Sequence, residues 1–154
     1  MTQKCEIIKP PSQSTLSVRT KTPVGELPQV LGKVYGSIAQ YLGELGEQPA
    51  GPPFAGYFNM DMQNLDVEIG FPVSRKLSGK GEIQPGEIGG GKVATCVYTG
   101  PYSEIAPAYK ALTTFIKDNG QEATGITYEM YLNDPTVTPP QELQTQIVFP
   151  LKST

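Results

Sequence analysis

The sequence predicts an α+β fold in which a β-α-β-β unit is used twice. Two observations predict it. Two stretches carry apolar residues at helical spacing, and each is preceded by one strand-like run and followed by two. Three short patterns also recur in the same order. Glu26-Leu27 returns as Glu104-Ile105, Tyr57-x-Asn59 as Tyr131-x-Asn133, and Ile69-x-Phe71-Pro72 as Ile147-x-Phe149-Pro150, at offsets of 78, 74 and 78 residues. The drop and recovery of four make the first helix about one turn longer and lengthen the second hairpin loop around Pro135 and Pro139-Pro140. The reading is one domain over 1–154, with half-repeats at about 5–73 and 82–152. It is a two-layer, pseudo-twofold arrangement with antiparallel sheet and helices on one face.

In chain order, 5–8 is a short apolar run stopped by Pro10-Pro11, and 15–20 alternates as a strand. Thr22-Pro23 gives a helix start, a hydroxyl cap followed by proline in the first turn. Leu27, Leu31, Val34, Ile38, Leu42 and Leu45 form the apolar stripe, and Gly46 closes it. Strands at 54–59 and 66–73 make a hairpin, and 74–81 reads as a polar linker at the midpoint. A strand at 92–98 leads through Gly100-Pro101-Tyr102 to a second helix, capped by Ser103, with Ile105, Ala108/Tyr109, Leu112 and Phe115/Ile116 as its apolar stripe and Asn119-Gly120 at its end. Strands at 126–132 and 142–151 complete the second copy.

Composition removes several function classes. The chain is 38% apolar and 18% charged with net charge −3, an ordinary globular balance. No basic cluster offers a nucleic-acid face, and no apolar run suggests a leader or a membrane span. Cys5 and Cys96 are too few for a disulfide framework, so a reduced, cytoplasmic setting is expected. The absence of histidine removes Ser-His-Asp and Cys-His catalysis and the commonest zinc ligand. No cofactor and no metal are expected. Gly86 to Lys92 imitates a phosphate-binding loop, but Val93 replaces the hydroxyl that would hold Mg²⁺, and a strand follows where a helix is needed.

The stretch with chemistry in it is Tyr128-Glu129-Met130-Tyr131. Alternation puts Glu129 and Tyr131 on one face and Tyr128, Met130 and Leu132 on the other, which is assigned to the core. Ile69, Phe71, Ile147 and Phe149 are also core positions, so Glu68 and Gln146 face away. The helix-free faces of the two units would then line a central ligand cleft with Tyr57, Glu68, Glu129, Tyr131 and Gln146, joined by Tyr98 and Tyr102. A carboxylate among aromatic rings is an expensive arrangement unless something uses it. The plainer readings are a solvated edge-strand Glu129, Tyr57 and Tyr131 as cross-strand packing partners, Tyr102 as a turn plug, and Cys96 as a small packed residue.

With Gly100-Pro101-Tyr102 before a helix, the Tyr128-Glu129-x-Tyr131 strand, Asp66-Val67-Glu68-Ile69-Gly70-Phe71-Pro72-Val73 and the closing Ile147-x-Phe149-Pro150-Leu151, the chain resembles the GyrI-like effector-binding domains. The resemblance spans nearly the whole chain, from about 6 to 151, and reads as a stand-alone member. It implies duplicated SHS2-type modules around a central ligand cleft and a hydrophobic, aromatic or cationic small molecule as ligand. It also implies a cleft glutamate as counter-charge, a role that carries over to Glu129 and more weakly to Glu68. Some stand-alone members hydrolyse cyclopropane-bearing alkylating toxins, and in that reading Glu129 and Glu68 are the catalytic carboxylates. A regulator or gyrase is a further partner class that the resemblance brings.

Overall fold

The computed structural model describes residues 4–152, which form eight strands, two helices and three short 3₁₀ turns. They divide into two compact units, one at Ser12–Ile88 and the other made of residues 4–11 with 89–152.

The first unit contains β2 (Gln13–Thr22), a 3₁₀ turn at Val24–Glu26, α1 (Leu27–Glu44), β3 (Phe54–Tyr57), β4 (Leu65–Pro72) and β5 (Gln84–Ile88). Its sheet runs β3-β4-β2-β5, antiparallel throughout. Val18 pairs with Ile69 and Ile69 with Ala55, so these residues share a face. Helix α1 lays Val34, Ile38, Tyr41 and Leu42 on that face, against Leu16, Val18, Val67 and Ile69. The second unit contains β1 (Glu6–Ile8), β6 (Val93–Thr99), a 3₁₀ turn at Tyr102–Glu104, α2 (Ala106–Asp118), β7 (Thr127–Tyr131), a 3₁₀ turn at Pro140–Glu142 and β8 (Gln144–Pro150). Its sheet runs β1-β6-β8-β7, again antiparallel. Ala108, Leu112 and Ile116 of α2 pack on Ala94, Cys96, Ile147 and Phe149. Each unit is thus one helix on one face of a four-stranded sheet, the α+β arrangement the periodicity predicts.

Pairing adds a feature that periodicity does not carry. The strand leading each repeat pairs in the sheet of the other: β1 joins β6, and β5 joins β2. The 74–81 segment is also more than a linker. Leu77 and the following Ile83 are buried in the first unit's core, and the division between units falls after Ile88.

The helix ends follow the sequence at one end and depart from it at the other. Both C-termini close with a glycine in the left-handed region, Gly46 at φ 69° and Gly120 at φ 68°. The Gly46 and Glu47 N–H groups donate to Gly43 O and Leu42 O, and those of Gly120 and Gln121 to Lys117 O and Ile116 O, so the last carbonyls are satisfied twice over. Neither expected N-cap forms. The Thr22 hydroxyl donates to Pro23 O, and no side chain caps either helix. Pro23 and Pro101 hold extended backbone (ψ 146° and 145°), and a 3₁₀ turn intervenes before each α-helix. Among the described residues no helix is long and apolar enough to cross a membrane.

Candidate functional site

The second unit assembles a carboxylate site from α2, β7 and the turn after β6. Register fixes its floor. Glu129 is opposite Ile147, which is opposite Cys96, so all three side chains share the helix-facing side of the sheet. Tyr131, two residues on, shares it too. Across the layer Tyr109, on the first turn of α2, leans on Phe149 with ring centroids 5.8 Å apart. The Tyr109 hydroxyl donates to Glu129 Oε2, and the Tyr131 hydroxyl to Glu129 Oε1 at 2.9 Å. Tyr102 meets Tyr131 edge to face at 5.7 Å and is 38% exposed, a ring at the mouth of the site.

The electrostatics follow from this packing. Burial pushes the Glu129 carboxyl above the usual carboxylate range, while the hydrogen bonds from Tyr109 and Tyr131 pull it back without cancelling the shift. Burial, and then the nearby charges of Glu129 and Asp134, push the Tyr102 phenol up. Among the described residues no lysine or arginine forms an ion pair with Glu129. The group is an acid held by two neutral donors, half-buried, beside aromatic rings.

Sequence-predicted residues divide between the two faces. Glu129 and Tyr131 lie on the helix side, not on the helix-free side where alternation put them. Both faces of β7 carry large residues, so apolarity does not orient it; the pairing of Glu129 with Ile147 does. Tyr57 also faces the helix, opposite Val67 and packed against the first core. Glu68 and Gln146 face away, as expected, and so part company with the tyrosines. Glu68 lies in the first unit and accepts from the Ser17 hydroxyl at 2.6 Å. Gln146, the repeat equivalent of Glu68, donates to Thr95 Oγ1 at 3.2 Å. Neither unit holds both carboxylates.

Tyr98 has a different occupation. It is buried, and its hydroxyl donates to Pro101 O at 2.7 Å, propping the turn that carries Tyr102. Cys96 is buried in the core, and burial pushes its thiol up to about 12, so little of it is thiolate near neutrality and it is closed to a small-molecule ligand in the site. Gly89 and Gly90, both at φ 81°, turn the glycine run into strand β6, so no helix N-terminus receives a phosphate there. Tyr109 is the site residue missed by sequence reasoning. Its place on the apolar stripe of α2 concealed a hydroxyl pointed at a carboxylate. Among the described residues no group of three or more acidic or thiol side chains could hold a metal ion.

A family model for the GyrI-like small molecule binding domain matches residues 3–152. The chain belongs to the GyrI-like family. No curated protein matches it in sequence. Among solved structures, this GyrI-like chain is similar to the EcmrR C-terminal domain, with 22% identity, TM-score 0.87 and full coverage of both chains. It is similar to a hydrolase from Listeria innocua at 17% identity and TM-score 0.71, over 97% of this chain and 92% of that one. It is also similar to SAV2435, solved bound to tetraphenylphosphonium, at 10% identity and TM-score 0.60, over 99% and 94% of the two chains. At these identities the likeness is one of fold. Membership in the GyrI-like family makes this a small-molecule-binding domain.

Proposed function

We propose that the chain captures a lipophilic small molecule bearing a positive charge, with Glu129 as counter-charge and Tyr109, Tyr131 and Tyr102 as its aromatic surroundings. In this reading it is a cytoplasmic sequestering or effector domain with no nucleic-acid contact of its own. The observation that carries the reading is the half-buried Glu129 carboxylate, bonded by two phenols and without an ion-pair partner among the described residues. Phenols donate hydrogen bonds but leave the net charge in place. An arriving cation restores the stabilisation that burial removes. Each well-placed ring adds about 0.5–2 kcal/mol. Micromolar affinity needs about 8 kcal/mol, so apolar burial at roughly 25 cal/mol per Å² supplies most of it. That SAV2435, with the same fold, was solved with a lipophilic cation supports the choice of ligand class.

Titration with tetraphenylphosphonium tests this. Glu129→Gln keeps the shape and one acceptor but removes the charge, and is expected to weaken binding at least about tenfold, roughly 1.4 kcal/mol. Equal affinity in the variant would remove Glu129 from recognition.

One feature favours a second reading, hydrolysis of a strained electrophile such as a cyclopropanoid. A carboxyl inclined to stay protonated is what a general acid needs. Incubation with a cyclopropane-bearing alkylator, followed by mass spectrometry, separates the two. Ring-opened product beyond one equivalent supports hydrolysis, and an unmodified complex supports capture.

A further inference from the structure

Strand β1 is three residues long, and β6 is its partner in the second unit. Glu6 is opposite Thr95 and Ile7 opposite Ala94, and this register, continued one residue past the end of β1, would set Cys5 opposite Cys96. Both side chains belong to the same core cluster, Cys96 at 2% exposure and Cys5 half-buried against it. Both thiols are free. Residues directly opposed across antiparallel strands have Cα atoms about 4.5 or 5.5 Å apart. Both values fall inside the roughly 4.4–6.8 Å that a disulfide spans.

We propose that Cys5 and Cys96 are a reversible modification site, forming an intramolecular disulfide that staples β1 to β6 when the chain meets a low-molecular-weight disulfide. Cys5, the more accessible thiol, attacks as its thiolate, forming a mixed disulfide and expelling one small thiolate. The Cys96 thiolate then attacks the Cys5 sulfur and expels the second. The two protein thiols release two protons and are oxidised by two electrons, and the small disulfide is reduced to two small thiols. Burial pushes both protein thiols up, Cys96 to about 12. Little thiolate is therefore present near neutrality, and the staple closes slowly, under sustained oxidation.

The location gives the bond leverage. Cys96, Ile147 and Glu129 form one cross-strand row on the helix-facing side of the second sheet, and Cys5 packs against the core cluster at the Cys96 end of that row. Linking Cys5 to that end ties down the shortest strand of the unit, and the closed loop runs from Cys5 to Cys96. A loop of that length gains the most from cross-linking in the chain-entropy account.

The test treats the full chain with oxidised glutathione at mildly alkaline pH. Expected are loss of both thiols, a mass lower by two hydrogens, a Cys5–Cys96 peptide in a non-reducing digest and a rise in melting temperature that dithiothreitol reverses. Cys5→Ser, at the less buried position, leaves the reduced protein folded and abolishes all four responses. A persistent mixed disulfide on Cys5, covalent dimers, or a linked peptide with no rise in melting temperature would each overturn the proposal. None of these readouts depends on the ligand.

Discussion

Ala55 stands in the first unit where Glu129 stands in the second. Ala55 is opposite Ile69 and Glu129 opposite Ile147, and both face their unit's helix. The surroundings repeat as well. Tyr35 meets Phe71 edge to face at 5.3 Å as Tyr109 leans on Phe149, and Tyr57 stands where Tyr131 does. The difference is chemical. Tyr109 donates its hydroxyl to a carboxylate, whereas Tyr35 donates to the backbone oxygen of Phe54 at 2.8 Å, and Ala55 is fully buried. One aromatic frame was duplicated, and only one copy carries a charge.

The first prediction concerns that asymmetry. Ala55→Glu inserts a carboxylate into a filled site whose nearest equivalent phenol already has an acceptor. The expected cost is about 3 kcal/mol, typical of an uncompensated buried charge, read as a lower denaturant midpoint. A stability within about 0.5 kcal/mol of the parent would mean that the Tyr35 hydroxyl turns readily from Phe54 O to a new acceptor.

The second prediction is the pH dependence of stability. Burial raises the Glu129 carboxyl in the folded state, so the folded chain holds that proton more tightly than the unfolded one. The resulting stability is fully present below the unfolded glutamate value and is lost as pH rises through the folded one. Glu129→Gln has no such proton to lose. Chemical denaturation from mildly acidic to neutral pH is expected to show the variant gaining on the parent as pH rises. A constant difference between the two would place Glu129 in an environment as polar as water.

A third prediction separates the two phenols from the charge. The hydrogen bond from Tyr109 is the larger of the two downward pulls on Glu129, ahead of that from Tyr131. Tyr109→Phe keeps the ring on Phe149 but removes the donor, so the carboxyl rises further and is ionised over a narrower range. Near neutral pH, tetraphenylphosphonium affinity is expected to fall by about fivefold, near 1 kcal/mol, and its pH midpoint to move upward. Tyr131→Phe should move the midpoint the same way by less. A midpoint that stays put in both variants would uncouple the phenols from the carboxyl.

The duplication, the order of the elements and the acidic strand could be read from residues alone, because each leaves a local mark. Periodicity marks α1 and α2, and the repeated Ile-x-Phe-Pro marks β4 and β8. Glu129 stands out because a carboxylate among tyrosines is unusual in a strand. What could not be read is non-local. The face of β7 depends on its pairing with β8, since Tyr128 and Met130 are as bulky as Glu129 and Tyr131. The pairing of β1 with β6 and of β5 with β2 leaves no pattern within either strand. Tyr109 contributes to the apolar stripe of α2 by its ring and to the site by its hydroxyl, and periodicity registers only the ring.

The fourth prediction tests the prop beneath Tyr102. Gly100 has φ 143°, a conformation that side-chain-bearing residues rarely adopt, and a Cβ there would lie 2.7 Å from the Tyr98 hydroxyl oxygen. That hydroxyl cannot move without breaking its bond to Pro101 O, because the Tyr98 ring is 7% exposed and packed in the core. Gly100→Ala is therefore expected to cost about 2–3 kcal/mol, from backbone strain together with a buried donor losing its acceptor. It should also weaken tetraphenylphosphonium binding, since the displaced turn carries the Tyr102 ring away from Tyr131. A double-mutant cycle with Tyr98→Phe isolates the cause. Without the hydroxyl the 2.7 Å contact is gone and only the strain and a 3.1 Å approach to ring carbon Cζ remain, so Gly100→Ala should cost less in the Tyr98→Phe background than in the parent. Strictly additive losses would show that Gly100 is required for its backbone angle alone and that the Tyr98 hydroxyl does not hold the turn.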